Sequence, residues 1–168
     1  MIYNGVAPGA AAFAAVTTSA TKATMLQVKM GASQVGRASV IEWGVSFNGS
    51  AAAAPFQCEL IACGTSATVT TLAVADIINL DPLGAAVVDT FPFDVGTTET
   101  GFTSSAASDA TTPTNVRILD QQYVAPTNQY LKQFPLGREP QFKPAEYLRL
   151  RVWGDGTIKV ICYVVIEV

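Results

Sequence analysis

Tyr147-Leu148-Arg149-Leu150-Arg151-Val152-Trp153-Gly154-Asp155-Gly156-Thr157-Ile158-Lys159-Val160-Ile161-Cys162-Tyr163-Val164-Val165-Ile166-Glu167 all but ends the chain and decides its fold class. Its first third alternates with a period of two, the side-chain period of a β-strand. Leu148, Leu150 and Val152 share one face, and Tyr147, Arg149, Arg151 and Trp153 share the other. Gly154-Asp155-Gly156 is a turn signal, read here as the closing turn of a hairpin. Beyond it Ile158, Val160, Cys162, Val164 and Ile166 alternate with Lys159, Ile161, Tyr163, Val165 and Glu167. The second segment is apolar on both faces near its middle, which predicts a central strand covered on both sides.

The same period recurs upstream. Leu26, Val28 and Met30 alternate with Gln27 and Lys29 in a strand from Thr24 to Met30. Gly36 to Asn48 predicts a longer strand with Ile41, Trp43, Val45 and Phe47 on its core face. Asn48-Gly49 reads as a hairpin turn, lengthened by the alanines that follow. Phe56, Cys58 and Leu60 mark a third strand, Ser66 to Leu72 a fourth, and Ala86 to Phe93 another. Val116 to Val124 and Gln129 to Phe134 complete the set, with Pro135-Leu136-Gly137 turning the chain after them. Residues 73–83 are the one stretch with a helical pattern, ended by Pro82. Eight to ten short strands without a sustained helix mean a sandwich or barrel. The uneven connections, long at 73–85 and 96–115, favour cross-connected sheets. The expectation is an all-β, antiparallel β-sandwich of jelly-roll type.

The 168 residues suit one domain, with residues 1–22 as an extended arm and 23–168 as the sandwich. Residues 4–21 are Ala, Thr, Gly and Ser with one Phe, and have no core-forming pattern of their own. Residues 96–115 are similarly poor in large apolar side chains, so something must hold them, and a neighbouring subunit is a natural candidate. Only 14% of the chain is charged against 49% hydrophobic. An average soluble domain is about 25% charged, so a surface partly covered by other subunits fits this balance, as does a merely alanine-rich monomer. No run approaches the roughly 18 apolar residues of a membrane span. The opening Met1-Ile2-Tyr3-Asn4 lacks the basic start of a cleaved leader.

The net charge is −3, which argues against nucleic acid as a partner. It is unevenly spread: residues 1–116 hold three cations and eight acids, and residues 117–168 hold seven cations and five acids. Solvated strand faces account for that; so do complementary patches on neighbouring copies of one protein.

Chemistry is scarce. The chain has no histidine, which removes Ser-His-Asp and Cys-His nucleophilic systems and nearly all catalytic zinc sites. No phosphate-binding glycine loop, dinucleotide fingerprint or calcium loop occurs, and no cofactor is implied. Cys58, Cys63 and Cys162 are odd in number and lack metal spacing. Cys58 and Cys63 point to opposite faces of one strand and cannot bridge, so three reduced, buried thiols are expected. Asp76 with Asp81, or Asp89 with Asp94, are the only candidate carboxylate pairs, each better explained as turn and cap residues. Asp155 reads as a turn residue, and Glu42 and Glu59 as solvated or paired with Lys29 or Arg37. Trp43 belongs to a core face. Trp153 with Tyr147 could form a sugar-stacking platform or an inter-subunit contact. Phe134-Pro135-Leu136-Gly137-Arg138-Glu139-Pro140 is a stiff strand connection or a fixed docking loop. The sequence therefore points to binding or assembly without catalysis.

Leu131-Lys132-Gln133-Phe134-Pro135-Leu136-Gly137-Arg138-Glu139-Pro140, Tyr147 to Val152 and the closing Tyr163-Val164-Val165-Ile166-Glu167 resemble the jelly-roll decoration (cement, or minor capsid) proteins of tailed bacteriophages. Tyr3-Asn4-Gly5-Val6-Ala7-Pro8 and Ile41-Glu42-Trp43-Gly44 are similar too. The likeness covers the outer strands and the last forty residues; residues 50–115 carry none of it. It implies a virion structural protein made in the host cytoplasm and seated as a homotrimer on the capsid exterior. There it would clamp neighbouring copies of the major capsid protein with an extended arm. It brings no catalytic, cofactor or metal residue. On this reading, removal of residues 1–20 weakens assembly and leaves the sandwich folded. The alternative is a glycan-binding sandwich module of a phage tail or spike, built on Trp153 and Tyr147.

Overall fold

The computed structural model describes residues 1–3, 16–31, 36–50, 54–81, 83, 92–102 and 112–168. These form an antiparallel β-sandwich of two sheets. In chain order the strands are β1 (Ile2–Tyr3), β2 (Val16–Thr17), β3 (Ala23–Met30), β4 (Ala38–Asn48), β5 (Phe56–Cys63), β6 (Thr70–Thr71), β7 (Phe93–Asp94), β8 (Gly101–Phe102), β9 (Arg117–Val124), β10 (Gln129–Gln133), β11 (Gln141–Phe142), β12 (Tyr147–Trp153) and β13 (Lys159–Glu167). A single 3-10 turn, Val74–Asp76, stands within the stretch whose pattern is helical.

One sheet runs β1-β13-β4-β10, with β2 beside β13 and β11 beside β4. The other runs β6-β8-β3-β12-β5-β9, with β7 beside β3. Eight strands carry the architecture: β1, β3, β4, β5, β9, β10, β12 and β13. The first of them pairs with the last, the second with the seventh, the third with the sixth and the fourth with the fifth.

Every connection between long strands except that from β5 to β9 crosses from one sheet to the other. Two expected hairpins are therefore corrected. Gly154-Asp155-Gly156 carries the chain from β12 to β13 across the sandwich, and the Asn48-Gly49 turn begins the crossing from β4 to β5. The glycines are needed there because the crossing chain passes close to other groups. A Cβ on Gly49 would lie 2.8 Å from that of Pro126, and one on Gly154 2.6 Å from the Phe56 ring. Both places do turn, but a turn signal does not say whether the next strand stays in the sheet.

The core lies between the sheets. Leu148, Leu150 and Val152 of β12 face Val160, Cys162 and Val164 of β13, and all six are buried. Trp43, Phe56 and Phe142 are the largest apolar side chains fully enclosed. In β4 a register shift opposite Val165 and Ile166 moves the alternation by one, so Ala38 and Val40 are buried before it and Trp43 and Val45 after it. Ile41, expected inward, is half-buried in consequence. β13 is an interior strand, but its outer Ile161, Tyr163 and Val165 are only half-buried instead of covered.

The expected arm is corrected at both ends, while its residues 4–15 lie outside the described residues. Ile2 pairs with Val164 and Val16 with Val160, and both side chains are buried. Thr18 is fully buried as well; its N–H donates to Ile158 O at 2.8 Å, and its hydroxyl accepts the Ile158 N–H at 3.0 Å. Residues 1–3 and 16–18 thus belong to the sandwich. Of the expected 86–93 strand only Phe93 falls in a described element, β7. Residues 86–91, Asp89 among them, lie outside the described residues.

Candidate interaction surfaces

The polar face of β12 is not a surface. Arg149 is fully buried and Arg151 nearly so. Arg149 donates from Nε and Nη2 to Thr24 Oγ1 at 3.0 and 2.7 Å, and from Nη1 to Thr65 O at 3.0 Å. Arg151 forms an ion pair with Glu59 of β5, whose side chain is 2% exposed. Lys22 reaches the same carboxylate at 3.3 Å and lies 3.9 Å from the Trp153 ring centroid. One face of the expected sugar platform is therefore occupied by the chain's own ammonium group, and Tyr147 is half-buried.

This layer also answers how part of the 96–115 segment is held. Gln27, fully buried, donates from Nε2 to Glu99 O at 2.6 Å and accepts the Ala67 N–H at 2.7 Å. Lys29 pairs with Asp94 at 3.0 Å and Glu99 at 2.9 Å. Burial works against the Lys29 ammonium, but hydrogen bonds and charges from Glu99 and Asp94 outweigh it and leave its pKa above the ordinary lysine value. Gly64 N–H donates to Thr114 O at 2.8 Å. Residues 96–102 and 114 thus have tethers within the chain; residues 103–111 lie outside the described residues.

The acids singled out in the sequence are engaged in similar ways. Asp76 Oδ2 accepts the Ala73 N–H at 3.1 Å, and Asp81 Oδ1 accepts the Leu83 N–H at 2.9 Å. Glu42 accepts the Tyr163 hydroxyl at 2.6 Å instead of pairing with a cation. Burial, then the Glu42 bond and charge, push the Tyr163 pKa well above its usual value. Cys58, Cys63 and Cys162 are free and buried. Burial pushes the Cys58 thiol up to about 12, and burial and then Cys58 raise Cys162 further from ionisation. Cys58 stands opposite Val152 in the core, and Cys63 lies near Arg149 on the outer face. Among the described residues no group of three acids or thiols could hold a metal ion.

Asp120 has a role that no sequence signal announces. From β9, an edge strand of one sheet, its Oδ2 accepts Trp43 Nε1 at 3.1 Å and the Tyr130 hydroxyl at 2.8 Å, both from the other sheet. It fastens the two sheet edges, β9 and β10, along one flank. Burial, then the Asp120 bond and charge, push Tyr130 up to about 12. No motif marks an acid in a Gln-rich edge strand as a clasp, so only the fold reveals it.

Among the described residues, three surfaces stand open to a partner. The first is that flank, where β9 and β10 each pair on one side only among the described residues and expose Ile118, Tyr123 and Leu131. The second is a groove of about 620 Å³ lined by Arg37, Arg117, Glu139, Gln141, Lys143 and Glu146. Leu136 stands beside it at the tip of the Pro135–Arg138 turn, 97% exposed. The third is the turn after the 3-10 segment, which exposes Leu80, Asp81 and Leu83. Comparison with models of protein families, with curated proteins and with solved structures finds no match to this chain.

Proposed function

We propose that this chain is a virion structural protein that decorates a bacteriophage capsid and stabilises it by clamping neighbouring capsid subunits. The observation that carries the reading is the distribution of polar and apolar groups. The buried charges are engaged in ion pairs and hydrogen bonds within the sandwich, while strand edges unpaired among the described residues and leucine-tipped turns face outward. Such a surface is built for packing against other chains.

We also read the sandwich as a jelly roll. Nested pairing of first strand with last, second with seventh, third with sixth and fourth with fifth is what a long antiparallel ribbon gives when rolled into two sheets. That agrees with the resemblance carried by residues 131–140, 147–152 and 163–167. The mechanism is non-covalent: apolar and edge-strand surface buried between subunits strengthens the shell. The working unit is a trimer on the capsid exterior, bound to the major capsid protein. Light scattering after size exclusion tests the unit. A mass near three times 17.6 kDa is expected. The monomer mass at every concentration would remove the trimer from the account.

A further inference from the structure

We infer that copies of this chain join head to tail, the turn around Asp81 of one copy seating in the Arg37–Arg117–Lys143 groove of the next. The inference deepens the proposed trimer and rests on that reading only for the number of copies that closes the ring.

The two surfaces are complementary in charge and both carry an apolar tip. In and beside the groove stand four cations, Arg37, Arg117, Arg138 and Lys143, against two carboxylates, Glu139 and Glu146. Both carboxylates are already engaged: Glu139 accepts the Gly137 N–H at 3.0 Å, and Glu146 accepts Arg117 Nη2 at 2.9 Å and the Lys143 N–H at 3.2 Å. Arg138 and Lys143 are exposed and make no ion pair among the described residues. The groove is left with cations to offer. Its volume lies within the roughly 300–1,000 Å³ of clefts that enclose compact ligands.

The other surface offers the opposite. Neither Asp76 nor Asp81 pairs with a cation among the described residues, since each bonds only to nearby backbone N–H groups. Leu80 and Leu83 are 58% and 94% exposed on either side of Asp81. The turn is not loose, because Asn79 Oδ1 accepts the Asp81 N–H at 3.0 Å. Just before it, Ile78 exchanges two bonds with Met1: its N–H donates to Met1 O at 2.9 Å, and its carbonyl accepts the terminal ammonium at 2.7 Å.

Their placement sets the symmetry. The acidic turn is fastened at Met1, beside β1 at one edge of the six-stranded sheet. The groove lies along β11, which pairs with Ser39 and Ala38 of β4 on the side away from β13, at the opposite edge. One copy cannot join its own patches at opposite edges, so each patch must meet its complement on another copy. A head-to-tail contact satisfies both patches, and such contacts close into rings when the rotation allows.

The test uses charge reversal in the full-length chain, followed by sedimentation velocity over a range of concentrations and salt. Asp81→Lys reverses the turn, and Asp81→Asn removes its charge while keeping a side-chain oxygen to accept the Leu83 N–H. Arg138→Glu with Lys143→Glu reverses the groove. All these positions are exposed, and circular dichroism confirms that each variant is folded. Each reversal should weaken association at least about tenfold, with Asp81→Asn smaller in the same direction. Salt should weaken the wild-type contact. A chain carrying both reversals should recover the assembly, because every turn then meets a complementary groove again. Wild-type-like association of either singly reversed chain, failure of the doubly reversed chain to recover, or a wild type that stays monomeric would each overturn the inference. None of these outcomes touches capsid binding, which is measured separately.

Discussion

Glu59→Gln separates a buried ion pair from an ornamental one. Glu59 is 2% exposed and Arg151 8%, while the second cation, Lys22, keeps 38% of its side chain in solvent. Glutamine fits the same volume but removes the negative charge that faces the enclosed Arg151. Breaking a buried pair by removing one partner costs about 3–5 kcal/mol, because the remaining charge stays desolvated. Domains are stable by only about 5–15 kcal/mol, so the loss is a large share. At about 2–4 °C per kcal/mol for a chain of this size, the melting temperature should fall by roughly 6–20 °C. Glu146→Gln is the control. Its partner Arg117 is 49% exposed, and an exposed pair is worth about 0–1 kcal/mol. Urea unfolding followed by tryptophan fluorescence reads both, with Trp43 and Trp153 as reporters. Glu59→Leu with Arg151→Met should restore most of the stability, since neither half of that pair is then left as a lone buried charge. A loss below about 1 kcal/mol for Glu59→Gln would refute the reasoning, as would a double variant no better than the single one.

Removal of residues 1–18 should destabilise the sandwich by roughly 3–6 kcal/mol, since Ile2 and Val16 each contribute about 1.5–3 kcal/mol of buried side chain; denaturant midpoints check this. The three thiols should be silent to a thiol reagent in the native state and all react in guanidinium, because each is buried and the Cys58 pKa is pushed up to about 12. Stability should fall as pH rises through about 10 to 12. Tyr130, Tyr163 and Lys29 all have folded pKa values above their unfolded ones, so the native state holds more protons there, and the stability they contribute is full below about 10 and lost above it. Thermal melts across that range, with Asp120→Asn showing an earlier tyrosine titration by ultraviolet absorbance, measure the effect.

The period-two alternation of Leu148-Arg149-Leu150-Arg151-Val152 identifies both strand and inward face, because sheet geometry leaves no other phase for a Leu/Val triplet. The same alternation is silent on the outward face. Arginines opposite a core triplet do not say what covers them, and here the chain folds residues 64–72 and 94–102 over that face through Thr65, Gln27 and Lys29. That cover comes from Thr-rich segments, of which Ser66 to Leu72 reads as a strand but forms one only at Thr70–Thr71, and local pattern does not say which face they cover. The Gly154-Asp155-Gly156 turn is legible as a turn but not as a sheet crossing, since crossing is decided by which distant strand captures β13. Leu80-Asp81 and Leu136 are visible as turn residues beside Pro82 and Pro135. That they stand at opposite edges of one sheet follows only from the pairing of β1 with β13 and β11 with β4.

Cosedimentation with capsids lacking their decoration tests the central claim most directly. The account predicts saturable binding in multiples of three copies, with the decorated shells resisting heat or low ionic strength better than bare ones. Folded protein that leaves the shells unbound at saturating concentration, and their stability unchanged, would contradict it.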